Sequence, residues 1–239
     1  MLDPEQVAAA QAPYPSAGTL RVHPAPERLL APEPERPGLN RFDDPAGRVA
    51  VRYTASRLVG CLRETMARFR PSPAAEAALA AVGGIDADDC DWEPNDVDAI
   101  GDWLAAQQVG TVRITSVGPF IDVERDELLV GLDKHPRVRA ALSVLDASAR
   151  LDTAWVRLGG TIGRPVSQAV GVAVREWIPR ALGIGYRSRL ATNEPCWAIW
   201  DTTSVVVTSV ALDPSDPLHR DAVRTVAAAY EIDLPESWL

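Results

Sequence analysis

The chain has 239 residues, 46% of them hydrophobic and 24% charged, and a formal net charge of −9. That length suits one large domain or two small ones with an ordinary soluble core, and no apolar run reaches the ~20 residues of a membrane span. The balance of 33 acidic against 24 basic side chains opposes direct, nonspecific binding to nucleic acid, which cation–phosphate contacts drive.

Residues 1–18 are rich in Ala, Pro and Gln without a clear period, and a mobile N-terminal arm is expected there. They lack the basic segment and apolar core of a secretory signal, which favours a cytoplasmic protein. Residues 19–23, TLRVH, read as a short strand, and the proline- and charge-rich 24–38 as a loop. Asp43, Asp44, Pro45 and Gly47 make a turn. Val49, Val51 and Tyr53 then alternate with Ala50 and Arg52, the period of a half-buried strand. From Ala55 the period changes: Leu58, Val59, Leu62, Met66 and Phe69 share one helical face, and Pro71 and Pro73 stop the helix.

Glu64 lies roughly 200° around this helix from Leu62, away from the apolar stripe. One turn earlier stands Gly60, which leaves open backbone that another group can approach. Pattern alone favours a surface pair between Glu64 and Arg68.

Further on, residues 74–82 read as a short helix, and the acids Asp86, Asp88, Asp89 and Asp91 as a solvated loop without the ligand spacing of a calcium site. Residues 95–108 read as a helix capped by Asn95, 109–116 as a strand, 121–132 as a loop with a short helix, 136–149 as a helix and 153–158 as a strand. The turn at 159–163 lacks the Lys-Ser/Thr ending of a phosphate loop. A helix over 165–182 and strands over 184–189, 196–201 and 205–212 follow, the last two so continuously apolar that a central place in a sheet is expected. Asp216 and Pro217 open a last helix running to Tyr230.

Cys61, Cys90 and Cys196 give neither a disulfide framework nor metal-ligand spacing, so buried free thiols and no metal are expected. No Gly-x-Ser-x-Gly elbow surrounds any serine, which argues against a serine hydrolase.

Arg41-Phe42, Tyr53-Thr54-Ala55, Glu64, the helix start Arg164-Pro165-Val166-Ser167-Gln168, the stretch Tyr186-Arg187-Ser188-Arg189 and the apolar Cys196-Trp197-Ala198-Ile199-Trp200 occur in that order. Together they resemble the RES domain family, named for its Arg, Glu and Ser, from about residue 19 to 201. The turn reads Leu39-Asn40-Arg41-Phe42-Asp43 where the family often has glycines and Trp-Asn.

The resemblance implies an α+β fold, with a central mixed, largely antiparallel sheet flanked by helices, as in ADP-ribosyltransferases of the diphtheria-toxin type. It divides the chain into the arm 1–18 and one catalytic domain, 19–239. It implies an enzyme with NAD+ as substrate that breaks the nicotinamide–ribose bond, as glycohydrolase, phosphorylase or ADP-ribosyltransferase. Glu64, Arg41 and Tyr53 would be the catalytic residues, and Arg21, Arg41, Tyr53 and Ser188 would bind the dinucleotide. It further implies a toxin of a toxin–antitoxin pair, neutralised by a helix-turn-helix partner, with no direct role for nucleic acid or membrane; an oligomer is allowed. The competing reading is a non-enzymatic module binding a nucleotide or a protein, in which Glu64 only partners Arg68.

Overall fold

A computed structural model of the protein describes residues 2–24, 40–71, 96–158, 160–190 and 194–239. The expectations for the loop at 25–38, the short helix at 74–82, the acidic loop and Cys90 lie outside those residues.

The fold is α+β, built on an eight-stranded mixed sheet flanked by helices. The strands are β1 (Gln11–Ala12), β2 (Thr19–His23), β3 (Val51–Ala55), β4 (Gln108–Ile114), β5 (Phe120–Asp122), β6 (Gly183–Arg187), β7 (Pro195–Trp200) and β8 (Val205–Ala211). Their order is β1-β5-β6-β7-β3-β2-β4-β8. Among the described residues only β5 and β6 pair in parallel, and the other pairs are antiparallel.

The helices are α1 (Pro4–Ala9), α2 (Leu58–Met66), α3 (Val97–Ala105), α4 (Asp126–Leu132), α5 (Pro136–Leu145), α6 (Thr153–Arg157), α7 (Gly160–Trp177) and α8 (Pro217–Tyr230). The apolar stripe of α7, with Val166, Val170, Ala173 and Val174, lies in the main core together with Leu62 and Met66 of α2 and Val223 and Val226 of α8. A smaller cluster, Val112, Phe120, Trp197 and Ile199, forms on residues that alternate with those of the main core along β7. This two-sided burial explains the near-continuous apolar run of β7, which sits between β6 and β3 as expected.

Several expectations are corrected. Residues 153–158 are not a strand: 153–157 form α6, whose first turn is closed by the Asp152 carboxylate accepting from Trp155 N–H. Ala154, Val156 and Leu158 alternate as in a strand, but the Asp152 cap starts a helix in this short segment. β8 is apolar but lies at the sheet edge, with Val206 52% and Val210 60% exposed. β-branched composition selects a strand without fixing its place in the sheet.

Residues 2–18 are built into the fold. α1 carries a capping box between Asp3 and Gln6, and β1 pairs with β5. Tyr14 stacks on Phe120 and donates to the Val112 carbonyl at 2.7 Å. Residues 160–163, expected in a turn, are already helical: the helix expected over 165–182 runs from Gly160 to Trp177, and the helix expected over 95–108 is shorter, Val97–Ala105, capped by Asp96. Within 121–132 a short strand, β5, precedes α4.

Candidate active site

The turn bearing Arg41 is laid along α7. Asn40, Phe42 and Asp44 recur every second residue, and they meet Gln168, Gly171 and Arg175, which share one helical face. Gln168 Nε2 donates to the Asn40 carbonyl at 3.0 Å. At Gly171 a Cβ would come within 3.1 Å of the Phe42 carbonyl oxygen, so the missing side chain lets the turn sit close. Arg175 Nη2 donates to the buried Asp44 carboxylate at 2.7 Å, and Arg48 Nε donates to the same carboxylate at 2.9 Å. Tyr53 of β3 ties the turn from the other side: its hydroxyl accepts from Phe42 N–H and donates to Asp43 Oδ1, both at 2.9 Å.

So held, Arg41 projects between two rings. Its guanidinium carbon lies 5.0 Å from the ring centres of Phe42 and Tyr186, within the range of a cation–π contact. Its Nη2 donates to the Val156 carbonyl at 2.7 Å, in the last turn of α6, where a helix leaves its final carbonyls without intrahelical partners. Burial lowers the Arg41 pKa, and the fields of Tyr186, Glu64 and Glu124 oppose that effect.

Glu64 stands on the exposed side of α2. Arg68 does not engage it; the Arg68 guanidinium lies 4.7 Å from the Phe69 ring centre and 5.1 Å from that of Trp103. The partner of Glu64 comes from the distant chain: Ser188 Oγ donates to Glu64 Oε1 at 2.5 Å. Ser188 is buried, and its oxygen accepts from Leu190 N–H at 3.1 Å, which leaves the hydroxyl proton directed at the carboxylate. Tyr186, two residues earlier, has its pKa raised well above the ordinary value by burial, with smaller contributions from Cys196 and Glu64. Burial also pushes the Cys61 thiol to about 12 and raises that of Cys196, so neither is a thiolate nucleophile.

Arg41, Tyr53, Glu64 and Ser188 therefore surround one region between the turn, α2 and the end of β6. Arg21 is carried by β2, where it lies opposite Gly110, and its charge reaches Cys61, three residues before Glu64 on α2. Tyr53 presents its hydroxyl to the Arg41 turn. Burial, then the Asp43 charge, raises its pKa well above the usual value.

Reasoning from sequence missed three contributors. Tyr186 was legible, since it alternates with Ser188. Glu124 accepts from Arg187 N–H at 3.0 Å and pairs with Arg157, and Glu194 accepts from Ser56 and Arg57; isolated acids in loops carry no pattern.

An exposed carboxylate held by a serine hydroxyl, beside an arginine seated between aromatic rings, defines a site able to hold an anionic group and stabilise positive charge next to it. The RES domain model matches residues 19–221, and the chain belongs to the RES domain family. No curated protein matches the sequence. Among solved structures, a chain of the crystal structure of the M. tuberculosis MbcT–MbcA toxin–antitoxin complex is similar, with 17% identity, a TM-score of 0.49 and coverage of 94% of this chain and all of that one.

Proposed function

We infer that this protein cleaves NAD+ at the bond between nicotinamide and ribose. Membership of the RES family supports the reading, and the observation that carries it is the meeting of Glu64 with Ser188 beside Arg41 and Tyr186. Nicotinamide leaves as a neutral base, so its departure needs no general acid. The ribose carbon becomes oxocarbenium-like, and the exposed Glu64 carboxylate offsets that charge. Arg41, with Arg21, holds the pyrophosphate, because an acidic protein needs fixed guanidinium groups to retain two negative charges. Tyr53 fixes the turn that aims Arg41, and Ser188 fixes the carboxylate. In this reading the fold is of the diphtheria-toxin ADP-ribosyltransferase type, and residues 19–239 form the catalytic domain.

The family resemblance also supports a toxin neutralised by a helix-turn-helix antitoxin. Pure protein incubated with NAD+, with and without inorganic phosphate, is expected to release nicotinamide. The mass of the other product distinguishes water, phosphate and a protein side chain as acceptor. Expression without the antitoxin is expected to slow growth and lower cellular NAD+. No nicotinamide under any of these conditions, also with cell extract as acceptor source, would overturn the enzyme reading in favour of a binding module.

A further inference from the structure

Gly60 is the residue that the sequence marks as open backbone near Glu64, and its vacancy is taken by a second carboxylate. A Cβ on Gly60 would stand 2.5 Å from Cγ and 2.8 Å from Cδ of Glu194, so only glycine admits the Glu194 side chain here. Glu194 is 1% exposed. Its Oε1 accepts from Ser56 Oγ at 2.7 Å and Arg57 N–H at 2.8 Å, and its Oε2 accepts from Arg57 Nε at 2.8 Å. Both residues immediately precede α2, and Arg57 is its N-cap, so a carboxylate from elsewhere in the chain takes up the N-cap N–H at the end where the helix field favours a negative charge. The main chain of the same residue is bonded in the other direction: the Glu194 carbonyl accepts from Ser188 N–H at 3.1 Å.

One residue thus grips the two segments that meet in the Ser188–Glu64 contact, the start of α2 by its side chain and Ser188 by its backbone. We propose that Glu194 is a positioning residue that sets the distance between Ser188 and Glu64, with Gly60 as its receptor notch. The proposal rests on the reading of Glu64 and Ser188 as site residues. Rigid placement matters because a shift of about 1 Å in a reacting group costs up to about 100-fold in rate.

The test compares Glu194→Ala, Glu194→Gln and Gly60→Ala in the full chain. Gly60→Ala helps the helix itself while evicting the Glu194 side chain, so it carries the test if Glu194→Ala fails to fold. Both are expected to lower kcat for NAD+ about tenfold with KM within about twofold, and Glu194→Gln, which keeps the Oε1 acceptor, to retain kcat within about threefold. In a Ser188→Ala background, Glu194→Ala is expected to change kcat less than about twofold, since the effect runs through Ser188. A purely structural role gives a loss that multiplies in that background, which overturns the proposal. Amide hydrogen exchange supplies a readout without NAD+. The Ser188 amide is expected to exchange about tenfold faster in Glu194→Ala or Gly60→Ala, relative to amides in the middle of α7. An unchanged Ser188 amide in a folded variant overturns the proposal whether or not the parent cleaves NAD+, while absent NAD+ cleavage with a faster Ser188 amide overturns only the functional reading.

Discussion

The Ser188 hydroxyl donates to the Glu64 carboxylate at 2.5 Å across 124 residues of sequence. The contact joins the end of β6 to the exposed side of α2 and fixes one carboxylate oxygen while the side chain stays accessible. Glu64→Gln keeps the size of the group and removes its charge. The variant is expected to melt like the parent and bind NAD+ with nearly the same affinity, with turnover lowered at least about 100-fold, roughly 2.7 kcal/mol. Single-turnover cleavage beside an NAD+ titration checks this; cleavage at the parent rate would remove Glu64 from the chemistry.

Arg41 is held by a carbonyl and two rings, so its replacement acts on binding. Arg41→Ala is expected to raise KM about tenfold or more, roughly 1.4 kcal/mol. Arg41→Lys restores the charge without the flat guanidinium between Phe42 and Tyr186 and is expected to recover only part of the loss. Arg21→Ala is expected to weaken NAD+ binding in the same sense. Titration of the three variants decides, and unchanged affinity in all of them would exclude these arginines as the pyrophosphate clamp.

Tyr53→Phe separates ring from hydroxyl. It leaves Phe42 N–H and Asp43 Oδ1 without their common partner. Stability is expected to fall by about 1 kcal/mol, a melting shift of roughly 2–4 °C for a chain of this size, with a higher KM because the Arg41 turn loosens. A variant with parent melting and parent KM would mean that the hydroxyl plays no part in holding the turn.

Asp44 gives the site a defined response to acid. Burial raises its pKa, but hydrogen bonds from Arg48, Ala46 N–H and Arg175 outweigh burial and hold it below the ordinary 3.8. A carboxyl with a depressed folded pKa contributes stability above its unfolded pKa and loses it as pH falls through the folded value. Asp44→Asn is therefore expected to be less stable by about 1–3 kcal/mol at neutral pH. The gap in melting temperature between parent and variant should begin to narrow at about pH 4 and go on narrowing as pH falls further. A gap that stays constant from pH 7 to pH 3 would refute the assignment.

Local pattern along the chain was enough for the separate elements and the family. The change of period at Ala55 set β3 and α2, the Asp216-Pro217 pair set the start of α8, and the order of Arg41, Tyr53, Glu64 and Ser188 carried the resemblance to the RES family, because periodicity, caps and short motifs act over a few residues. Tertiary structure alone decided the partners. Glu64 had Arg68 four residues away and takes Ser188 instead, since Arg68 lies over Phe69 and Trp103. The open backbone of Gly60 receives Glu194, and the apolar β8 ends at the edge because β2 and β4 separate it from β3. Such choices rest on contacts between segments far apart in the chain, and their energies have no signature in local composition.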